Sequence, residues 1–201
     1  PWSPSGRLIT ALRLPFEDRR PTGREPAELC VIDLVEQVVR PVYRTCGWGF
    51  QTAAHQQWGR TDRYLYLNDL DDGRPKGLRL DLSTGDVRRY QGPIWQLHPD
   101  ERYAVSPCLL RANLTQPGYG VPVPPERQPV NTATAEPDDG LFRVDLATGE
   151  QTLLLNLEAC WEALEHREDL ADAVLYAFHV KFNPAGDLAR VVPQGRLRAV
   201  D

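Results

Sequence analysis

The sequence has no methionine among its 201 residues and opens directly on the stretch PWSPSGRL. Because this stretch reads as part of a repeated strand–turn unit, we expect further residues to precede it, and any targeting segment would lie among them. No run of about eighteen apolar residues occurs, so the sequence predicts no membrane-spanning helix. We therefore expect a soluble protein, of either the cytoplasm or the periplasm.

Cysteine pairs and basic clusters are also missing. The four cysteines form no C-x-x-C pair, which argues against a zinc or thiol redox motif. Lysine and arginine total 23 against 28 acidic residues, and the arginines are scattered among the acids. We expect no nucleic-acid partner, because such proteins usually carry a basic stripe. The absence of a G-x-S-x-G motif disfavours a serine hydrolase.

A hairpin unit recurs along the chain. It reads CVIDL at 30–34, LRLDLSTGD at 78–86 and FRVDLATGE at 142–150. Alternating apolar residues predict a half-buried strand. Asp-Leu follows in each copy, and in two copies Thr-Gly and an acidic residue come next, which predicts a tight turn. A further strand comes after the turn, as VRRYQ in one copy and QTLLLNL in another, so the unit predicts a β-hairpin.

A second unit of strand, turn and strand precedes each hairpin. Its copies are PWSPSGRLITALRL (1–14), QQWGRTDRYLYLNDL (56–70), WQLHPDERYAVSPCLL (95–110) and VKFNPAGDLARVV (180–192). The two units together give four short antiparallel strands in every 40 to 50 residues or so, the spacing of a β-propeller blade. His98, inside the turn of the third copy, is expected to be a surface turn residue.

These motifs resemble the repeats of TolB-like or WD40-like propellers. PWSPSGRLI and FNPAGD are similar to their SPDG-type turn, and GLFRVDLATGEQTLL is similar to their third and fourth strands. The resemblance implies an all-β fold, a partial β-propeller of four-stranded antiparallel blades with a short inserted helical segment. Because known propellers close with four to eight blades, we expect partner blades outside these residues and self-association through open edges.

The predicted organisation is a single partial propeller domain over residues 1–201. A Pro-rich insertion interrupts blade three and is expected to be either a binding loop or disordered. One or two amphipathic helices are predicted before blade four, because four apolar residues fall at helical spacing: Leu157, Cys160, Trp161 and Leu164. The expected blade bounds are about 1–45 for blade one, 54–92 for blade two, 93–157 for blade three and 177–192 for the start of blade four. The Pro-rich insertion is expected at 113–140 and the helical insertion at about 156–176. No blade pattern is expected after residue 192.

Two histidines occupy the same place in their blades. His55 precedes Trp58 by three residues, and His179 precedes Phe182 by three, whereas blade three has Ile94 at that place. The first strand of a blade lines the channel, so both imidazoles are expected near one mouth of the ring. Imidazole suits a divalent metal or proton transfer near neutrality. The alternative is a pair of histidines bonded only to backbone or water.

HQQW and FHVKF are also similar to segments of oligogalacturonate lyases. This resemblance implies metal-assisted β-elimination on a uronate oligomer, with manganese or a similar divalent ion bound at the mouth. The alternative is a non-catalytic scaffold that binds a protein or a small ligand. The candidate residues are His55, His179 and Arg111 for catalysis, His55, His179 and Gln57 for the metal, and Trp48, Phe50, Gln56, Asn113 and Tyr119 for an oligosaccharide or small acidic ligand.

Several of these residues also have structural interpretations. Trp48 and Phe50 lie among glycines just before the His55 strand, and they suit either stacking on sugar rings or a hydrophobic plug between blades. Arg111 and Asn113 stand at the entrance to the Pro-rich insertion, where both could contact a carboxylate. An arginine in this position also suits a surface ion pair.

Overall fold

The computed structural model describes residues 1–128, 137–165, 168, 173–187 and 189–197. Their strands form separate antiparallel sheets, each built in chain order. Blade one has three strands: β1 (Leu8–Arg13), β2 (Ala27–Asp33) and β3 (Val38–Thr45). A bridge between Trp2 and Ile9 adds the start of a fourth strand at its inner edge.

The next two sheets are complete four-stranded meanders. Blade two consists of β4 (Gln57–Trp58), β5 (Tyr64–Asp71), β6 (Arg74–Asp81) and β7 (Val87–Arg89). Blade three consists of β8 (Gln96–Leu97), β9 (Tyr103–Pro107), β10 (Gly140–Asp145) and β11 (Gln151–Asn156). In blade four, β12 (Ala173–Phe182) pairs with β13 (Ala189–Leu197).

Hydrophobic cores between successive sheets make these meanders the blades of a propeller. The first core joins Leu29 of blade one to Leu65 and Leu67 of blade two. Tyr66, on the opposite face of β5, belongs to a second core with residues of blade three. A third core joins Val105 of blade three to Val180 of blade four. The chain is therefore all-β and forms part of a β-propeller, which confirms the predicted fold class.

The recurring aspartate of the hairpin unit holds its turn by direct hydrogen bonds. Asp33 accepts hydrogen bonds from the backbone N–H groups of Val35 and Glu36, both at 3.0 Å. Asp81 and Asp145 accept equivalent bonds from the backbone two residues later, at 2.9 and 2.8 Å. Asp and the turn residues therefore recur together because the carboxylate replaces one backbone acceptor in a tight turn.

Two of these aspartates also bind an arginine from the preceding strand–turn unit. Arg7 makes a forked contact with Asp33, and Arg63 makes the same contact with Asp81. The hydrogen bond from Arg7 is the main cause that lowers the pKa of Asp33 to about 2. These pairs join the two repeated units into one blade.

The Pro-rich insertion is more ordered than the sequence suggested, at least over its described residues. Helix α1 (Leu109–Thr115) leads into its start, and a 3-10 helix lies within it at Pro125–Arg127. Val121 and Val123 of the insertion are buried. The sequence predicted helix only at 156–176, so helix α1 was not expected. Residues 129–136 of the insertion lie outside the described part of the chain.

The region around blade four also differs from expectation. Helix α2 runs only from Leu157 to Glu162, and β12 begins at Ala173, inside the range predicted to be helical. Strand β13 continues to Leu197, well past the point at which the blade pattern was expected to end. Residues 166, 167 and 169–172 of the predicted helical segment are not among the described residues.

His98 is buried, contrary to its predicted place on the surface. Its Nε2 donates to the backbone oxygen of Gly186 at 2.9 Å, and its Nδ1 contacts Asp100. The ring also packs 5.2 Å from Phe182 of blade four. His98 therefore lies in the expected turn, but it links blade three to blade four.

We predict that the core between blades one and two contributes strongly to stability. Leu67→Ala should lower the free energy of unfolding by about 3 kcal/mol, because Leu67 is fully buried and its loss leaves a cavity. Leu154→Ala is the matched control, since Leu154 is 52% exposed and should change stability by less than about 0.5 kcal/mol. Urea unfolding of both variants measures the difference, and equal effects would contradict this packing.

Candidate functional site

The loop before β4 holds His55 in a backbone conformation that non-glycine residues rarely adopt. The φ angle of His55 is 52°, in the left-handed region. The loop is closed by hydrogen bonds from Gly49 N to Ala53 O at 2.9 Å and from His55 N to Thr52 O at 3.0 Å. His55 is buried, and its Nε2 donates to the backbone oxygen of Tyr119 at 3.2 Å.

His179 has the same backbone conformation in a different setting. Its φ angle is 50°, at the point where the register between β12 and β13 shifts. Unlike His55, its side chain is exposed. Two histidines at matching places in blades two and four thus share a left-handed backbone, and such strain often occurs at functional sites.

The two imidazoles are linked through aromatic rings. His55 packs against Trp95 with ring centroids 4.5 Å apart, and Trp95 lies 5.5 Å from Phe178. Phe178 in turn lies 4.1 Å from His179. The contacts therefore place aromatic side chains of blades three and four between the two histidines.

Two tyrosines complete this group of rings. Tyr119 of the insertion lies 5.2 Å from Phe178, and Tyr176 lies 5.8 Å from it. Trp95 and Tyr119 are half-buried, so each keeps an accessible part of its ring. We call this group the mouth cluster; it consists of His55, Trp95, Tyr119, Tyr176, Phe178 and His179.

Sequence reasoning missed three members of the mouth cluster. Trp95 follows directly after Ile94, the residue that aligns with the histidines, and Phe178 directly precedes His179. An aromatic residue beside the aligned position was therefore the available signal. Nothing in the local pattern distinguished Tyr176, whose hydroxyl meets Gln194 at 2.7 Å.

The glutamines beside His55 stabilise the loop. Gln57 donates to the backbone oxygens of His55 and Trp95, at 3.1 and 2.9 Å, and its Oε1 accepts from Leu97 N at 3.0 Å. Gln56 Oε1 accepts from Ala54 N at 3.1 Å. Gln57 therefore joins the mouth ends of blades two and three, whereas Gln56 binds within the loop before β4.

Asn68 also binds the backbone of the segments that lead into β4 and β8. This fully buried side chain accepts from Ile94 N at 2.7 Å and donates to Ile94 O at 2.7 Å and to Ala54 O at 3.3 Å. Since Ala54 and Ile94 lie directly before His55 and Trp95, Asn68 sets the relative position of two rings of the mouth cluster.

The residues proposed as metal ligands do not form a ligand set in this conformation. Nε2 of His55 and Oε1 of Gln57 already have hydrogen-bond partners in the protein. Among the described residues, no group of three or more His, Cys, Asp or Glu side chains is arranged to hold an ion. The described donors therefore do not fit a closed metal site, and metal binding stays a prediction.

Two of the other predicted site residues have structural roles. Trp48 is fully buried, and its Nε1 donates to Glu25 O at 2.7 Å. Stacking of Trp48 on a sugar was therefore wrong, and the hydrophobic plug is what the structure shows. Arg111 is buried and forms a 2.6 Å ion pair with Asp139, across the base of the insertion. This pair is internal rather than at the surface.

Phe50 and Asn113 lie in a cleft instead of the mouth cluster. The cleft has a volume of about 460 Å³ and runs between the loop at 49–51, the loop at 20–22 and the insertion. Segment 117–119 separates it from the mouth cluster, because Gly118 O accepts from Gln51 N while Tyr119 O accepts from His55. The structure thus divides the predicted ligand-binding residues between two places.

No protein-family model and no curated protein matches the chain. Among solved structures, it is similar to TolB from Acinetobacter baumannii, with 14% identity, a TM-score of 0.47, and coverage of 96% of this chain and 39% of that one. It is also similar to an oligogalacturonate lyase in complex with manganese, with 18% identity, a TM-score of 0.48, and coverage of 97% and 58%.

The chain thus spans 39% and 58% of the lengths of these two structures. At such low identity and TM-score these likenesses carry no argument, and the propeller assignment depends on the sheets and cores described above. No helix among the described residues is long and apolar enough to cross a membrane.

We predict that His55 makes stability depend on pH. Burial lowers the pKa of His55 to about 4, from 6.5 in an unfolded chain. The unfolded state therefore binds more protons between these values, and the free energy of unfolding falls as the pH drops through this window. Between pH 7 and pH 5 the loss due to His55 should be about 2 kcal/mol.

Urea unfolding of His55→Gln at both pH values tests this dependence. The variant should lose about 2 kcal/mol less than the wild type on going to pH 5, because it has no imidazole to protonate at this position. Trp2→Ala, which changes a residue that is 63% exposed and removes no titratable group, is the control and should retain the wild-type dependence. Identical pH dependence in the wild type and His55→Gln would show that His55 is not buried in its neutral form.

Proposed function

We propose that this chain forms the ligand-binding mouth of a carbohydrate-binding β-propeller. The ligand would be an acidic oligosaccharide of the uronate type, held at the mouth cluster. The supporting observation is the accessible aromatic surface of Trp95 and Tyr119 beside the exposed His179. Aromatic rings suit the apolar faces of sugars, and the imidazole can hydrogen-bond to hydroxyl or carboxylate oxygens.

Metal-assisted β-elimination is the more specific form of this proposal. The described residues support it less, because a pKa near 4 makes His55 a weak base at neutral pH. Arg111 is already paired with Asp139 and is largely buried. The exposed imidazole of His179 is the better candidate for contact with a substrate.

A protein-binding scaffold is the second candidate, and one observation favours it. Strand β11 is the outer edge of blade three, and its Leu153, Leu154 and Leu155 are 39%, 52% and 37% exposed. A sheet edge with consecutive exposed leucines is suited to pairing with another chain. The two candidate functions use different surfaces, so variants can separate them.

We predict that oligogalacturonate binds at the mouth cluster. Trp95→Ala should weaken its affinity about tenfold, because it removes a stacking surface worth about 1.5 kcal/mol. Trp95→Phe should retain most of the affinity, since it keeps a ring against His55 and Phe178. Isothermal titration calorimetry on the full chain measures the three affinities, with and without added Mn²⁺.

Trp2→Ala is the matched control for this experiment. Trp2 is 63% exposed and lies away from the mouth cluster, so its loss should leave binding unchanged. The ultraviolet absorbance of an unsaturated uronide reports elimination in the same samples. Metal-dependent product that disappears in His179→Ala would establish a lyase. If oligogalacturonate fails to bind with or without metal, the carbohydrate proposal is wrong and the scaffold is favoured.

A further inference from the structure

The cleft beside the insertion has the dimensions and walls of a small-ligand site. Its volume of about 460 Å³ is within the range of roughly 300–1,000 Å³ typical of small-molecule pockets. Most of the lining is apolar and comes from three separated segments, and Val121 and Val123 within it are buried. A ligand with an apolar body would therefore cover much of this surface.

Close backbone contacts hold the walls of the cleft together. A Cβ atom at Gly49 would lie only 2.7 Å from the backbone oxygens of both Gly118 and Gly120. At Gly23, whose φ is 82°, a Cβ would lie 2.6 Å from Pro122 O. Glycine is thus required where each loop meets the insertion, so the cleft is built into the fold before any ligand arrives.

Phe50 provides a fixed aromatic surface in the cleft. Its ring is 38% exposed and meets the ring of Trp48 edge-on at 5.4 Å. Phe16 supports it from another side at 6.5 Å. Because Trp48 is itself buried and hydrogen-bonded to Glu25 O, the exposed ring of Phe50 is held in place for contact with a ligand.

The polar groups of the cleft favour a negatively charged ligand. Arg20 is the only charged residue among the described residues of the lining, and it is exposed. Asn113 Oδ1 accepts from Gly118 N at 3.2 Å, which orients the side-chain NH₂ group as a donor. Within the described part of the chain, neither the Arg20 guanidinium nor this NH₂ group has a hydrogen-bond acceptor. A guanidinium and an amide donor together suit a carboxylate.

We propose that this cleft binds a small carboxylate that carries a flat apolar ring. The ring would lie against Phe50, and the carboxylate would be bound by Arg20 and Asn113. The arginine in this role is Arg20, since the ion pair with Asp139 engages Arg111 elsewhere. Segment 117–119 separates the cleft from the mouth cluster, so this site is independent of the proposed carbohydrate function.

Benzoate and its neutral analogue benzamide are suitable probes of the cleft. In titrations of the ¹⁵N-labelled full chain, benzoate should shift the backbone signals of Gln51 and Gly118 and the side-chain signal of Asn113. Benzamide should bind at least tenfold more weakly, because it has the ring without the charge. Arg20→Gln should weaken benzoate binding at least tenfold and leave benzamide binding unchanged, and Phe50→Ala should weaken both.

Arg40→Gln and Trp95→Ala are the controls. Arg40 is an exposed arginine of β3 outside the cleft, so its replacement should leave benzoate binding unchanged. Trp95→Ala alters the mouth cluster and should also leave it unchanged, which separates this site from the carbohydrate proposal. The proposal is overturned if benzoate does not bind, if benzamide binds equally well, or if Arg20→Gln has no effect.

Discussion

Blades two and three each pack both faces against neighbouring blades, and the rest of the structure depends on this constraint. In β5, Leu65 and Leu67 pack towards blade one, whereas Tyr66 packs towards blade three. A strand buried on both sides cannot move without opening two cores, so its ends are held firmly. The loops at the mouth are therefore held at both ends by firmly packed strands. The unusual backbone of His55 persists because the blades on either side determine where its loop begins and ends.

Hydrogen bonds between blades add to the hydrophobic packing that positions the blades. Buried Asp69 of blade two accepts from Tyr43 OH at 2.8 Å and from Thr45 Oγ1 at 3.1 Å, both in blade one. Burial and the bond to Asp69 raise the pKa of Tyr43 to about 12, so its hydroxyl remains a donor. Asn68, the preceding residue, links blade two to the start of blade three. These buried polar groups hydrogen-bond to one another, so their burial costs little free energy.

The insertion of blade three changes the chemistry of the mouth. It crosses towards blades one and two, where Arg24 binds Glu126 and Asp72 binds Arg127. In doing so it covers His55, places the ring of Tyr119 against Phe178 and forms one wall of the cleft. The surface therefore has an aromatic part, the mouth cluster, and a separate, largely apolar cleft that Arg20 borders.

The repeating blade was predictable from sequence because its causes are local. Period-two alternation specifies a strand, and the aspartate of each hairpin binds backbone only two or three residues away. The site was only partly predictable because its contacts join distant segments. The carbonyl that covers His55 is 64 residues away, and the one that binds His98 is 88 residues away. Sequence alone placed the two histidines at matching positions, whereas the tertiary structure decided that Trp48 is buried, that Arg111 is paired and that Arg20 faces a cleft. Those outcomes depend on which side chains the packing of the blades brings together, and no local pattern encodes that.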